Sequence, residues 1–461
     1  MKASETPLPD YALPLPDSAR QALARAWLWL GLVSLIGSGV FSVLLVLSRT
    51  PVLQNIFPVA DFFHVALVAH VDLSVLVWFI AIAGMLWSIN CSSHAMHWGW
   101  LAFWVCAFGV ALMSIAPFIG RGEPIMANYI PVLNDRIFLF GLLVLGAGFA
   151  ALVLRSLVLA PVLGISFNGG GALRFGINAA AVSAAVAIMA FAWSYAVVPE
   201  SLGGKAYYEI LFWGGGHALQ FTWTLLMLVA WIRLISACGA RVPMSPRVAL
   251  LMFLLALICV FVTPYAYLAY GVASVEHRNL LTWAMRFGGG LAILPMSLAV
   301  LVALRPASNM REYAKPLRAA LLSSVVLFAV GGVIGVFISG NNVKIPAHYH
   351  GSIVGVTLAL MGLVYHLLPQ LGYAAPVGRL ATWQPIVYGA GQLMHITGLV
   401  WSGGYGVQRK VAGAGQVLRT SGEIAGMGLM GLGGLIAIIG GLLFVVVVIR
   451  AVRDRRRAAG R

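Results

Sequence analysis

Residues 344–372, KIPAHYHGSIVGVTLALMGLVYHLLPQLG, decide how this chain folds. Two histidines separated by one residue, His348 and His350, open a stretch that is otherwise apolar enough to lie inside a bilayer. Because an α-helix turns by about 200° over two residues, the two imidazole rings point to opposite sides of the predicted helix. They therefore cannot bind one metal ion together, but each can bind a separate cofactor on its own flank.

The composition excludes an ordinary soluble domain of this length. Of 461 residues, 61% are hydrophobic and only 9% are charged. Reading runs of roughly 20 apolar residues as membrane spans predicts twelve, at residues 26–48, 63–88, 98–119, 136–158, 175–198, 208–235, 247–271, 279–304, 317–339, 346–368, 384–403 and 424–449. We expect an all-α integral membrane protein with a cytoplasmic segment (1–25), one twelve-helix membrane domain (26–450) and a basic cytoplasmic tail (451–461).

The charge distribution predicts the orientation of the chain. The formal net charge is +16, but the basic residues lie in short loops and tails between spans, including the tail RAVRDRRRAAGR, so they do not indicate nucleic-acid binding. The positive-inside rule favours both termini in the cytoplasm. The four cysteines form neither CxxC nor CxxCH, so the chain encodes neither covalent haem c nor a thiolate metal site.

Several histidines fall at one depth when the spans are oriented with both termini in the cytoplasm. Five of the ten converge on the outer third of the membrane: His70, His217, His277, His348 and His350. Any one of them could be an interfacial or helix-bridging residue. Five together favour cofactor ligation, because imidazole is the commonest metal ligand and helix bundles build such sites from inward-facing side chains.

These positions resemble the catalytic subunit (subunit I) of the haem-copper oxidase superfamily, which also includes bacterial nitric oxide reductases. The resemblance covers nearly the whole chain and is carried by AHYHGSIVG with the downstream YHLLPQLG, by FWGGGHALQFTW around His217, and by GGYGVQRKVAG at 403–413. It implies a twelve-helix bundle of the subunit I type that holds two haems and a second metal.

The resemblance also implies a role for each matched residue. His70 and His350 would be the axial ligands of a low-spin haem, and His348 the proximal ligand of a high-spin haem. His217 and His277 would bind the second metal. Arg409 and Lys410 would neutralise haem propionates, although an ordinary solvated loop also accounts for this pair.

Two departures from the family pattern bear on the reaction. Glu276 stands where the family has a histidine, and with His217 and His277 it would complete a ligand set that suits non-haem iron, whereas three imidazoles suit copper. Glu276 could equally be an exposed loop residue. Phe221 occupies the position of the redox-active tyrosine of typical oxidases; Tyr270 could replace that tyrosine, or it could be a plain interfacial residue.

The chain also lacks an acidic proton path through the inner half of the membrane, while Glu209 and Glu276 are candidate proton relays on the outer side. Reduction of NO to N2O requires neither O–O cleavage nor a proton pump. We therefore expect a membrane-bound respiratory reductase that converts NO to N2O without pumping protons, with iron favoured over copper as the second metal. A terminal oxidase that reduces O2 to water is the alternative, and a non-catalytic haem-carrying subunit is a third.

Electrons must come from outside the chain. Without haem c or a thiolate copper site, the protein needs a partner subunit that carries cytochrome c or copper, or it must oxidise membrane quinol. We expect a multi-pass protein of a bacterial or archaeal plasma membrane, with its active site in the outer half of the bilayer.

Overall fold

The computed structural model describes residues 11–13, 15–47, 62–119, 122–161, 167–304, 311–338, 342–405 and 420–459. Over these ranges the chain is almost entirely helical. The helices are α1 (Ser18–Leu47), α2 (Phe62–Asn90), α3 (Met96–Ile119), α4 (Arg136–Val158), α5 (Gly169–Val197), α6 (Gly204–Ala237), α7 (Pro246–Ala269), α8 (Val275–Ala303), α9 (Ala314–Val336), α10 (Lys344–Leu367), α11 (Arg379–Gly404) and α12 (Ser421–Ala459).

Eleven of the described helices are long and apolar enough to cross a membrane. The remaining long helix, α11, coincides with the predicted span 384–403 but is less apolar, because it carries Gln384, Gln392 and His395. Each predicted span thus lies within or overlaps a helix. The first helix begins at Ser18, eight residues before the predicted span.

Glycines set the distance between the last two helices. A Cβ at Gly398 of α11 would lie 2.4 Å from the backbone nitrogen of Met430 on α12, and one at Gly391 would lie 2.5 Å from the nitrogen of Ala437. Small residues allow membrane helices to approach with their backbones nearly in contact. Close packing therefore holds α11 against α12 even though α11 is the less apolar of the two.

The buried centre of the bundle is formed by α2, α6 and α10, which expose the smallest share of their surface among the candidate spans. These are the helices on which His70, His217 and the His348–His350 pair lie. Three of the four predicted ligand-bearing helices therefore lie in the interior, whereas α8, which has His277 near its start, has the smallest buried share of the candidate spans.

Two helices that carry predicted ligands contain a wider π-helical turn. In α2 it covers Asp72–Val77 and begins two residues after His70, and in α8 it covers Ala284–Gly288 and begins seven residues after His277. Such turns re-aim side chains and are frequent at functional sites.

A short hairpin lies between α3 and α4. Strand β1 (Glu123–Ile125) pairs antiparallel with β2 (Val132–Asn134), with Pro124 opposite Leu133. Asp135 then caps α4 by accepting hydrogen bonds from the backbone nitrogens of Ile137 and Phe138. The hairpin presents residues 126–131 to the start of α6.

Candidate functional site

His348 is held by a backbone contact across two helices. Its Nδ1 donates to the carbonyl oxygen of Gly331 on α9, at 2.7 Å. The ring also fits against Gly335, where a Cβ would lie 2.6 Å from the same Nδ1. Because Nδ1 carries the proton, Nε2 is left as the free lone pair.

His70 is held in the same way from α1. Its Nδ1 lies 3.0 Å from the carbonyl oxygen of Ser38, 2.9 Å from the Ser38 hydroxyl and 2.8 Å from the Ser42 hydroxyl. These oxygens surround one ring nitrogen and fix the orientation of the ring. Again the Nε2 atom is the one available to a ligand.

His350 lies on the same helix as His348 but has different neighbours, as expected for residues two apart. It interacts electrostatically with His70 and with His395 of α11. The rings of His350 and His395 are 4.9 Å apart, and the Nδ1 of His395 donates to the carbonyl oxygen of Met430, at 2.9 Å. No motif in the sequence marks His395 as a functional residue.

His217 lies on the buried face of α6. Its Nδ1 donates to the carbonyl oxygen of Trp213, one turn earlier, at 2.7 Å. The rings of Trp213 and His217 are 4.9 Å apart. The same backbone-anchored arrangement thus occurs at a third predicted ligand.

His277 is fully buried near the start of α8, and it is the residue whose surroundings point most clearly to a missing partner. Neither of its ring nitrogens has a hydrogen-bond partner among the described residues. Its ring meets the edge of the Tyr267 ring at 4.7 Å. An unpaired buried imidazole is costly, and a metal ion would satisfy it.

His217 and His277 belong to neighbouring segments. They interact electrostatically with one another, and the indole nitrogen of Trp213 donates to the carbonyl oxygen of Arg278, at 3.4 Å. The two histidines can therefore contribute to one centre between α6 and α8.

The histidines share a pattern that suits cofactor ligation. In His70, His217 and His348 the Nδ1 atom bonds to a backbone carbonyl oxygen, which fixes the ring and directs Nε2 outwards. Metal-ligating histidines are usually oriented by such a bond. The orientation of these three rings therefore suits ligation of a haem iron or another metal.

The structure does not assemble the predicted set of two histidines and Glu276. Among the described residues, no three His, Cys, Asp or Glu side chains lie close enough together to hold a metal ion. Glu276 is exposed whereas His277, the next residue, is buried. Adjacent residues on a helix differ by about 100° in direction, so the helix that buries His277 turns Glu276 outwards.

Tyr270 is also not placed against the histidines. It is exposed just beyond the end of α7, while Tyr267, three residues earlier, packs on His277. The Tyr267 hydroxyl donates to the carbonyl oxygen of Ala190 and bonds to the Ser194 hydroxyl at 2.6 Å. Phe221 is buried on α6, four residues after His217. Arg409 and Lys410 lie outside the described residues.

The hairpin between α3 and α4 brings to His217 a tyrosine that no sequence motif marks. The Tyr129 hydroxyl lies 3.0 Å from Nδ1 and 3.1 Å from Nε2 of His217. The preceding Asn128 donates to both carboxylate oxygens of Glu209, from its backbone nitrogen at 3.2 Å and from Nδ2 at 2.6 Å. Burial raises the pKa of Tyr129, and the nearby Glu209 carboxylate adds to this effect, so the hydroxyl stays protonated and can donate.

The chain is similar to known proteins over most of its length. The family model for cytochrome c and quinol oxidase polypeptide I matches residues 22–443. An uncharacterised protein of Rickettsia prowazekii is 28% identical, covering 93% of this chain and 96% of the relative. An uncharacterised protein of Aquifex aeolicus is 27% identical, covering 78% and 88%.

A solved structure shares the fold. A chain from the cryo-EM structure of a heme-copper terminal oxidase dimer superposes with a TM-score of 0.71, covering 95% of this chain and 84% of that chain at 16% identity. The family match extends over nearly the whole chain and includes every described histidine discussed above. The chain therefore belongs to the cytochrome c and quinol oxidase polypeptide I family and is an oxidoreductase of the haem-copper oxidase superfamily.

Proposed function

We propose that this protein reduces NO to N2O at a centre formed by a high-spin haem on His348 and a second metal on His217 and His277. Membership of the superfamily implies haems and a metal centre. A low-spin haem between His70 and His350 would pass electrons to this centre. The position of Phe221 is the observation that carries the choice of reaction.

Phe221 lies one helical turn after His217, so both residues are on the same face of α6. A phenylalanine there can donate neither an electron nor a proton. Cleavage of O–O needs such a donor, whereas joining two NO molecules to give N2O and water needs only two electrons and two protons. The residue at this position therefore favours NO.

When bound, the haem iron and the second metal supply electrons and hold the two nitrogens close together. The chain's own part is to fix the ligands. The carbonyl oxygens of Gly331 and Trp213 orient His348 and His217 before the metals bind. Such preorganisation avoids reorientation during the reaction.

Protons are proposed to enter from the outer side. Glu209 is half-buried beside Asn128 and close to Tyr129, and Glu276 is exposed next to His277. In this proposal both carboxylates relay protons inwards from the outer surface. The exposed position of Glu276 suits a proton relay better than a metal ligand. Arg409 and Lys410 are proposed to neutralise propionates on the basis of the resemblance alone.

The finer topology is part of the same proposal. Twelve spans, with α11 among them, place both termini in the cytoplasm of a bacterial or archaeal cell and the centre in the outer half of the plasma membrane. Electrons would come from a cytochrome c or copper subunit, or from quinol.

O2 reduction is the second candidate, and Tyr267 is the observation that favours it. Its ring contacts His277. Its hydroxyl packs against Gly214, where a Cβ would lie 2.2 Å from the hydroxyl oxygen. A tyrosine from this helix could supply the electron and proton that Phe221 cannot. However, its hydroxyl is already bonded to Ser194 and to the Ala190 carbonyl oxygen.

Metal analysis combined with turnover tests the proposal. Purified protein should contain about three iron atoms per chain, two in haem and one outside it, and should form N2O from NO under anaerobic conditions. About two iron atoms with one copper, together with O2 consumption and no N2O, would indicate a terminal oxidase. About two iron atoms and no turnover of either gas would indicate a non-catalytic haem subunit.

A further inference from the structure

Arg286 is a charged residue inside a membrane-spanning helix. It lies in the π-helical turn of α8, Ala284–Gly288, and it is exposed. Its Nη2 atom donates to the carbonyl oxygen of Val336, the last residue of α9, at 3.3 Å. Among the described residues, its other guanidinium nitrogens have no hydrogen-bond partner and no carboxylate pairs with its charge. An arginine within a membrane segment is costly unless its charge is paired or faces a polar interior.

The bond to Val336 accounts for only part of this side chain. The last carbonyl oxygens of a helix lack intrahelical partners, so a cation is favourable there. However, a guanidinium has five N–H donors, and one neutral carbonyl oxygen does not balance its charge. The centroid of the Phe287 ring lies 5.9 Å from the guanidinium carbon, at the limit of the cation–π range. The remaining donors therefore fit an anion with oxygen acceptors.

The end of α9 that Arg286 reaches is also the end that holds His348. Val336 directly follows Gly335, where a Cβ would lie 2.6 Å from the His348 ring. One turn earlier on the same helix, the carbonyl oxygen of Gly331 accepts from the Nδ1 of His348. Arg286 is therefore anchored one residue away from the contact that orients the proposed high-spin haem ligand.

The turn that carries Arg286 also packs on the helix that carries His217. A Cβ at Gly288 would lie 3.7 Å from the Phe221 ring of α6, and Phe221 is one turn after His217. This part of α8 thus lies between α6 and the end of α9. The guanidinium is therefore a cation at the edge of the proposed haem and metal centre, with hydrogen-bond donors that no described residue uses.

We propose that Arg286 pairs with a propionate carboxylate of the haem on His348 and thereby positions that haem. This rests on the high-spin haem of the proposed function, but not on the choice of gas. A haem has two carboxylates on a flat and otherwise largely apolar ring, and a planar guanidinium can donate two parallel hydrogen bonds to one carboxylate. Trp283 and Phe287 on α8 and Val333 on α9 are exposed within one turn of the bonded residues and suit the apolar part of the ring.

The test compares Arg286→Gln with Arg247→Gln in the purified, haem-loaded protein, whose haem carries ¹³C in its propionate carboxyl groups. Both variants remove an exposed guanidinium that lies near an aromatic ring. Arg247 is the matched control because it lies in the first turn of α7, 5.6 Å from the centroid of the Phe167 ring, on a helix that carries none of the proposed ligands.

Three measurements are made on each variant. Infrared difference spectra are recorded on photolysis of CO, which binds only the high-spin haem and therefore selects the propionates of that haem. The midpoint potential of the CO-binding haem is measured by titration. The rate at which this haem passes to a haem-free globin reports how firmly it is held.

We expect Arg286→Gln to shift the labelled carboxylate bands and to lower the midpoint potential, because the lost positive charge favours ferrous over ferric iron. The haem should leave about tenfold faster or more, since a hydrogen bond to a charged group is worth about that factor in an equilibrium. Arg247→Gln should match wild type in all three. Unshifted bands in Arg286→Gln, even with a changed potential, or equal shifts in both variants would overturn the pairing.

Arg286→Lys decides the matter if Arg286→Gln fails to fold. Lysine keeps the charge and a donor for the carbonyl oxygen of Val336, but it replaces the planar fork that faces the carboxylate. The labelled bands should therefore still shift, whereas bands identical to wild type would show that residue 286 only caps α9.

Failure of this pairing can be told apart from failure of the proposed function. Shifted bands in a protein that forms no N2O would leave the pairing standing and overturn the proposed reaction. N2O formation with bands that Arg286→Gln and Arg286→Lys leave unshifted would do the reverse. A wild-type protein without a CO-binding haem would overturn both.

Discussion

The Nδ1 atom of His348 on α10 lies 2.7 Å from the carbonyl oxygen of Gly331 on α9, and this contact depends on a second glycine, Gly335, one turn further along α9. The imidazole fits only because Gly335 has no side chain. The orientation of the proposed high-spin haem ligand is therefore built into the packing of two helices.

Replacing Gly335 by alanine should disturb this ligand. A Cβ there would lie 2.6 Å from the His348 ring, which must turn or move away. We expect loss of the CO-binding, high-spin haem signal with the low-spin signal retained, measured by reduced-plus-CO difference spectra. Gly332→Ala is the control, because among the described residues no atom lies within 4 Å of its Cβ position. Equal spectra for both variants would contradict this account.

His70→Ala and His350→Ala should each remove the low-spin haem. Each ring is one of the two proposed axial ligands, so haem should fall from about two to about one per chain, with loss of the bis-histidine electron paramagnetic resonance signal. His366→Ala, on the same helix as His350, is the control. If His70→Ala kept the signal while His395→Ala removed it, the second ligand would be His395, whose ring lies 4.9 Å from that of His350.

Glu209→Gln should slow NO reduction without altering haem content. Glutamine has the same shape and keeps one of the two oxygens that accept from Asn128, but it cannot carry a proton on a carboxylate. We expect N2O formation to fall by about 100-fold, the lower end of the contribution of a proton-transfer group. Glu123→Gln, at an exposed position of the hairpin that carries Asn128, should leave the rate unchanged. A rate in Glu209→Gln equal to wild type would exclude this relay.

Gly398→Leu should weaken the protein by separating α11 from α12. A side chain there meets backbone atoms at 2.4–2.8 Å, which cannot rotate away, and overpacking typically costs about 1–3 kcal/mol. The Tm in detergent should fall, whereas Gly428→Leu on α12, whose Cβ position has no described atom within 4 Å, should leave it near wild type. A fall of the same size in both variants would mean that the close approach is not the cause.

Much of the fold follows from the sequence because a membrane imposes one requirement on every span. A run of about 20 apolar residues must form a helix, since backbone groups have no other partner in lipid. The two-residue spacing of His348 and His350 likewise predicts rings on opposite flanks, and the structure gives them different neighbours, Gly331 and His395.

Side chains outside the spans follow no such periodicity, and they account for what was missed. Tyr129 reaches His217 only because a hairpin folds back onto α6 and because its own backbone turns left-handed. The sequence suggested Glu276 as a ligand because it stands where the family has a histidine. A match in sequence position does not fix the direction in which a side chain points. Tyr270 was chosen by spacing, and the end of α7 brings Tyr267 to His277 instead.

The direct test of the proposed reaction is anaerobic turnover of ¹⁵N-labelled NO by the purified, reduced protein, with the product measured by mass spectrometry. We predict that doubly labelled N2O accumulates as one molecule for every two NO consumed. NO consumption without labelled N2O, in a preparation that reduces O2 to water, would contradict the proposal and assign the chain to the terminal oxidases.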